Sequence, residues 1–107
     1  MKVNYAYKFA SKILRALAHP TRLKILYMMR HGEKCVCEIV PYTGLSQPTV
    51  SRHLKFLEES GILRSRKEGN KTVYTLSDKR IFKVIDSLDP KLVASLSQTA
   101  ILKFKEK

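Results

Sequence analysis

The chain predicts a mainly α fold with one two-stranded β-hairpin, on three observations. Apolar residues recur at i, i+3, i+4 and i+7 along most of its 107 residues. One pair of short runs, Ile62-Leu63-Arg64-Ser65-Arg66 and Thr72-Val73-Tyr74-Thr75-Leu76, flanks a basic loop that contains a glycine. Glycine or proline marks the joints, at Pro20, Gly32, Gly44, Gly61 and Pro90. A chain of this length closes one modest core, so a single domain is expected over residues 1–107. With 44% hydrophobic and 28% charged residues it has the composition of a globular domain and not of a disordered tail. No internal repeat is visible.

Each element follows from its local pattern. Ala6, Phe9, Ala10, Ile13, Leu14 and Leu17 form the stripe of a first amphipathic helix that ends near Ala18-His19. Pro20 suits the first turn of a second helix, which carries Leu23, Ile25, Leu26 and Met29 and stops at Gly32. A short third helix over residues 35–42 would bury Val36, Ile39 and Val40, with Pro41 limiting or kinking it. After the Thr43-Gly44 turn, Ser46 is a good N-cap and Pro48 fits the opening turn of a fourth helix over 47–60. That helix buries Val50, Leu54 and Leu57 and shows Gln47, Thr49, Ser51, Arg52, His53 and Lys55 on its other side. Gly61 ends it, and the hairpin over 62–76 turns through residues 67–71. Ser77 is expected to cap a fifth helix over 78–88, with Ile81, Val84, Ile85 and Leu88 on one stripe. Asp89-Pro90 marks a break or a new start, and Leu92, Val93, Leu96, Ala100, Ile101 and Phe104 predict a sixth helix to the end of the chain.

Charge narrows the partner. Lys and Arg number 21 against 9 Asp and Glu, a formal +12, which favours a polyanion: nucleic acid or an anionic membrane surface. No apolar run approaches the ~20 residues of a spanning helix and the N-terminus has no signal-peptide core, so no membrane partner and a cytoplasmic location are expected. Cys35 and Cys37 are too few and too close to staple a secreted miniprotein, and reduced thiols are expected. No nucleophile and base in a motif context and no nucleotide loop is visible, so the chain is not expected to be an enzyme, and no cofactor is required.

A short helix, a glycine turn, a polar-faced helix and a basic hairpin are the parts of a winged helix-turn-helix, here residues 35–60 with the wing at 62–76. Such a unit places one helix in the major groove of double-stranded DNA while the hairpin follows the backbone. Gln47, Thr49, Ser51 and Arg52 are the candidates for reading base edges, because glutamine and arginine pair bidentately with bases and hydroxyls serve bases or phosphates. Ser46 lies beside them at the helix start. His53 and Lys55 are expected to touch phosphate or to face solvent, and Arg64, Arg66, Lys67 and Lys71 to neutralise backbone phosphate, with Asn70 or Lys71 probing a minor groove. The plain alternative for these side chains is a solvated surface, and for the whole chain a weakly specific architectural DNA-binding protein.

Leu14-Arg15-Ala16-Leu17-Ala18-His19-Pro20-Thr21-Arg22-Leu23-Lys24-Ile25-Leu26, Glu33-Lys34-Cys35-Val36-Cys37-Glu38-Ile39, Leu45-Ser46-Gln47-Pro48-Thr49-Val50-Ser51-Arg52-His53-Leu54 and Gly61-Ile62-Leu63 resemble the ArsR/SmtB family of bacterial and archaeal repressors over roughly residues 13–88. The resemblance implies a homodimer paired through its terminal helices (1–18 and 78–107), an operator with two half-sites, and release from DNA when an inducer binds. In the arsenic-responsive branch a Cys-Val-Cys motif binds trivalent arsenic or antimony, and Cys35-Val36-Cys37 falls on that motif. Thiolates suit such soft ions. Where some members carry a further cysteine, this chain has Val40, which leaves two thiolates or a third ligand from elsewhere. On a regular helix residues i and i+2 point about 200° apart, so both sulfurs can grip one ion only if the helix start is unwound. Ligation would then strain the third helix, shift the fourth packed against it and lower operator affinity. Lys34, Arg30 and the helix N-terminus favour the thiolate, while Glu33 and Glu38 oppose it. The alternatives are a regulator that senses no metal and a thiol-redox switch, against which the strain of a disulfide across one residue counts. Zinc-binding relatives use Asp and His of the fifth helix, and residues 78–88 hold no histidine; His31 with Cys35 and Cys37 lacks a fourth ligand. His19, at a helix joint, is expected to pack or cap.

Overall fold

The computed structural model describes residues 3–105, with side chains from Ala6 to Lys103. The elements run α1 (Val3–Leu17), α2 (Pro20–Met28) continued by a 3-10 turn (Met29–His31), β1 (Lys34–Cys35), α3 (Val36–Thr43), α4 (Gln47–Glu59), β2 (Leu63–Glu68), β3 (Lys71–Leu76), α5 (Ile81–Ser87) and α6 (Pro90–Lys105). Residues 1–2 and 106–107 of the expected terminal helices, and the Phe104 side chain, lie outside the described residues. No helix among the described residues is long and apolar enough to cross a membrane.

Local chemistry sets the boundaries. His19 turns extended at the start of α2 and its Nδ1 accepts from the Thr21 amide at 3.0 Å, so it is the capping residue the joint called for. Gly44 ends α3 with φ +71°, a left-handed conformation that a side chain adopts only under strain. Ser46 caps α4: its hydroxyl accepts from the Thr49 amide at 3.4 Å. β2 and β3 pair antiparallel from Leu63↔Leu76 to Glu68↔Lys71, leaving Gly69 and Asn70 as a two-residue loop. Gly69 takes φ +64° there, as the first residue of a glycine-led hairpin turn does.

Two boundaries differ from the sequence reading. The hairpin gains a third strand, β1, which pairs with β3 (Lys34↔Tyr74, Cys35↔Val73), so Cys35 lies before α3 in a strand and not inside the helix. Two residues are too few to show an alternation in sequence. The fifth helix begins at Ile81, three residues later than expected, and Ser77 does not cap it. Asp78 takes that segment instead: its carboxylate accepts from the Arg80 amide and guanidinium, and the Arg80 cation holds it down to about 2. At the last joint Asp89 accepts from the Leu92 amide at 2.9 Å, so Asp89-Pro90 starts a new helix.

The core lies where α2, α3 and α4 meet the base of the sheet. Ile25, Leu26, Met29, Ile39, Val50, Leu54, Leu57 and Leu63 are all but completely buried, and Ala16 and Leu17 bring the end of α1 into the same cluster. Val36 and Val40 are half-buried against it. Arg30 fastens α5 to this body with two bonds to Asp86, 2.7 and 3.0 Å, its guanidinium 4.3 Å from the Phe82 ring centroid. The outer helices are different. Tyr7 and Leu14 of α1, Leu88 after α5, and Leu96 and Ile101 of α6 are each at least 55% exposed. The radius of gyration is 16.3 Å, against about 13 Å for a compact chain of this length.

Leu54 is fully buried beneath α4 and among the core residues. Truncating Leu54→Ala is expected to cost about 2–5 kcal/mol in urea unfolding followed by circular dichroism, by lost transfer energy plus the cavity left behind.

Candidate nucleic-acid interface

Burial of Val50, Leu54 and Leu57 fixes which way α4 turns, and leaves Gln47, Ser51, Arg52 and Lys55 exposed on the outside. The expected reading residues separate into those that stand free and those with internal work. Ser46 is the cap, and its hydroxyl also donates to Thr49 Oγ1 at 2.9 Å, which half-buries Thr49 in the helix start. Arg52 lies across the same hydroxyl, Nη2 to Thr49 Oγ1 at 3.3 Å, on an exposed face. Gln47 and Ser51 line a cleft of about 500 Å³ whose other walls are Val36, Cys37, Val40 and Pro41 of α3 and Lys67, Asn70 and Lys71 of the hairpin. The cleft gathers five of the expected DNA residues, Gln47, Ser51, Lys67, Asn70 and Lys71, around one of the two cysteines.

The pleat splits the wing cations. Residues two apart share a face of β2, so Lys67 faces the cleft, donating to Thr72 Oγ1 at 2.9 Å, while Arg64 and Arg66 stand on the opposite face. Arg64 is exposed. Arg66, expected on phosphate, has partners within the chain: it is held bidentately by Glu33 at 2.6 and 2.8 Å and by Glu68 at 2.7 Å. Two carboxylates on one guanidinium raise its pKa further, and Arg66 in turn lowers that of Glu33. Arg66 therefore ties the wing to the residue before β1.

His53 also departs from expectation. It is half-buried and turned toward α2, its ring centroid 4.4 Å from that of His19 and its Nδ1 3.5 Å from Arg22 Nη1. Helical geometry explains this: three residues after Val50, it lies on the buried edge of α4, about 100° round from Arg52. Burial, then the charges of His19, Arg22 and Arg52, push its pKa below the ordinary value.

The structure pairs Cys35 with Cys37 as a disulfide, Cα–Cα 5.1 Å, whereas the sequence predicts reduced thiols and sets the strain of a bond across one residue against the redox option. The reason is the backbone: Cys35 is extended, with φ −81° and ψ 160°, and only Cys37 is helical, so the two side chains converge as they cannot on a continuous helix. Glu38, read as opposing a thiolate, accepts from the Cys35 amide at 3.1 Å and so fixes this bend. Glu33 and Arg30 are occupied by Arg66 and Asp86. Cys35 is buried and Cys37 exposed in the cleft. No group of three or more His, Cys, Asp or Glu suited to a metal occurs among the described residues.

Two positioning side chains were not given a role from the sequence, Arg22 under α4 and Glu58, which accepts from the Ser65 hydroxyl and ties α4 to β2; Glu33, named there only for its charge beside the cysteines, holds the wing base. For Glu33 and Glu58 the available signal was an acidic residue among many basic ones, which marks a partner without naming it.

Residues 19–65 match the family described as bacterial regulatory protein, arsR family. The chain is 38% identical over 84 residues to an arsenical resistance operon repressor of Staphylococcus xylosus, covering 78% of this chain and 81% of that one. It is 39% identical over 84 residues to an HTH-type transcriptional regulator of Methanocaldococcus jannaschii, covering 78% and 94%. Among solved structures, the homodimeric winged helix-turn-helix DNA-binding domain of Mycobacterium bovis superposes with TM-score 0.76 at 26% identity, over 87% of this chain and 91% of that one. HlyU of Vibrio cholerae superposes with TM-score 0.72 at 35% identity, over 83% and 98%.

Arg52→Ala is expected to weaken specific binding by about 1–3 kcal/mol while sparing random duplex, measured by fluorescence anisotropy at fixed salt; an equal loss on both would assign Arg52 to the backbone. His53 gives a pH signature. Its folded pKa lies below its unfolded one, so between the two the unfolded chain holds more protons, stability rises with pH, and it is lost on acidification from the ordinary histidine range downward. Thermal unfolding between pH 7.5 and 5 should show a smaller drop in His53→Gln than in the parent.

Proposed function

Since the chain belongs to the arsR family of bacterial regulatory proteins, we propose that it is a homodimeric, sequence-specific transcriptional repressor that binds double-stranded operator DNA and is released from it by a trivalent arsenic or antimony species at Cys35 and Cys37. The observation that carries the DNA reading is the outward face of α4: Gln47, Ser51, Arg52 and Lys55 stand exposed beside Lys67, Asn70 and Lys71. In this reading α4 enters the major groove, Gln47 and Arg52 reach base edges, and the wing lysines lie on phosphate. The excess of cations then makes affinity fall steeply with salt. The exposed apolar residues of α1, α5 and α6 support pairing with a second copy across a two-fold axis, which presents two α4 helices to two half-sites.

The sensing step follows from the bend at Cys35. With the bond reduced, the extended cap residue and the first turn of α3 offer two thiolates on one side, a donor set that suits a soft ion. A third ligand comes from solvent or a small thiol. Ligation acts on DNA affinity by two routes. Cys37 shares its cleft with Gln47, Ser51, Lys67 and Lys71, so an ion there alters the wall that meets DNA. Cys35 is a strand partner of Val73 and follows Glu33, which holds Arg66, so movement of Cys35 swings the wing. Both routes run through the wing, in addition to the α3–α4 contact expected from the sequence.

The cysteine pairing favours a second reading, a thiol switch. Two thiols give up two electrons and two protons to an oxidant such as a small disulfide and form the Cys35–Cys37 bond, with the two states differing in operator affinity.

One titration separates these. Reduced protein is titrated onto its own promoter DNA and onto random duplex, with and without arsenite, and again after oxidation. We expect specific binding, at least about a tenfold loss with arsenite, and no response in Cys35→Ser or Cys37→Ser at retained affinity. An arsenite response that survives both substitutions removes the sensing reading, a response to oxidation alone installs the thiol switch, and equal affinity for any duplex leaves an architectural protein.

A further inference from the structure

Arg22 joins two elements that carry different tasks in the proposed repressor, and the inference here rests on that reading. From the first turn of α2 its Nε donates to the Ala16 carbonyl at 2.7 Å and its Nη2 to the Arg15 carbonyl at 3.3 Å. Those carbonyls belong to the last turn of α1, past which the helix does not continue; the Arg15 carbonyl also accepts from the Ala18 amide at 3.3 Å, while the Ala16 carbonyl takes the shorter bond from Arg22. The guanidinium carbon lies 4.3 Å from the centroid of the Phe56 ring, and Nη1 is 3.5 Å from His53 Nδ1; both partners are on α4. No carboxylate pairs with Arg22 among the ion pairs of the described residues. One planar group thus holds the end of α1 by its edge and α4 by its face against Phe56 and its remaining edge nitrogen beside His53.

We infer that Arg22 is a positioning residue that sets the angle between the dimer helix α1 and the reading helix α4, and through it the separation of half-sites that the dimer accepts. Ala16 and Leu17 also join α1 to the core, but apolar burial has no direction and leaves the angle soft. Hydrogen bonds to carbonyls and stacking on a ring do have direction, and the planar guanidinium of arginine supplies both from one side chain. Each half of the dimer then holds its α4 at a fixed tilt from the two-fold axis. A one-base-pair change in half-site spacing rotates the second site by about 35°, which a rigid link rejects and a loose one tolerates.

The test is selection of bound duplexes from a randomised pool by the full chain and by Arg22→Gln, Arg22→Lys and Phe56→Leu, with circular dichroism and sedimentation confirming fold and dimer. The parent is expected to enrich paired half-sites at one spacing, preferred at least about tenfold over spacings one base pair shorter or longer. Arg22→Gln should enrich the same half-site sequence with that preference reduced to less than about threefold. Phe56 is 39% exposed and outside the buried core, so Phe56→Leu is expected to keep the chain folded and should broaden spacing if Arg22→Gln does not fold. A spacing preference as sharp in the folded variants as in the parent overturns the role of Arg22 and leaves the repressor reading intact. A parent that enriches no paired half-sites overturns the repressor reading, and this inference with it.

Discussion

Burial of one face of α4 is the constraint on which the rest of the structure depends. Val50, Leu54 and Leu57 are completely withdrawn from water. A helix has one azimuth, so fixing three residues fixes all thirteen: Arg52 must face out, His53 must sit on the margin, and Gln47 and Ser51 must border the hairpin. The polar ties are secondary to this. Glu58 to Ser65 and Arg22 to Phe56 adjust the tilt of a helix whose rotation is already settled. Exposed polar side chains on α4 contribute little to holding the fold, which frees them for contact with another molecule.

The charge distribution is less uniform than a net +12 implies. Arg30, Arg66 and Arg80 are each engaged by carboxylates within the chain. Those pairs are surface ones, where water screens the attraction, and their role is geometric: they fix α5 to α2 and the wing to β1. The cations that meet no acid among those pairs include Arg52, Lys55, Lys67 and Lys71, and these lie on or beside the outward face of α4. Acidic residues are placed where cations serve structure, and are sparse where cations would serve a polyanion.

Much of this was legible in the sequence. Helical spacing gave α1 to α4 and α6 closely, because α1, α2, α4 and α6 carry apolar residues at helical spacing, and the short α3 is bounded by the Thr43-Gly44 turn. The hairpin was legible from Gly69 and its flanking runs. What escaped was short or reached across the chain. Strand β1 is two residues long and exists only because β3 lies beside it; the partnership of Glu33 with Arg66 spans 33 residues; and His53 looked like its neighbours in a row of polar letters until burial separated it from them. The cysteine spacing was read on a regular helix, and the observed bend at Cys35 reverses that geometry. In each case a tertiary neighbour, absent from any local window, decided the outcome.

Strand β1 has a consequence for how the molecule comes into being. Lys34 meets Tyr74 across 40 intervening steps of chain, and both helices of the reading unit lie inside that span. Closing so long a loop costs chain entropy before the ladder repays any of it, which makes this one of the slower events available to a small mainly helical domain. A ribosome must therefore release the entire span before the wing can seat. A chain that stops short of Val73 and Tyr74 lacks the partner of β1, so the groove-reading surface is complete only when the whole span is present.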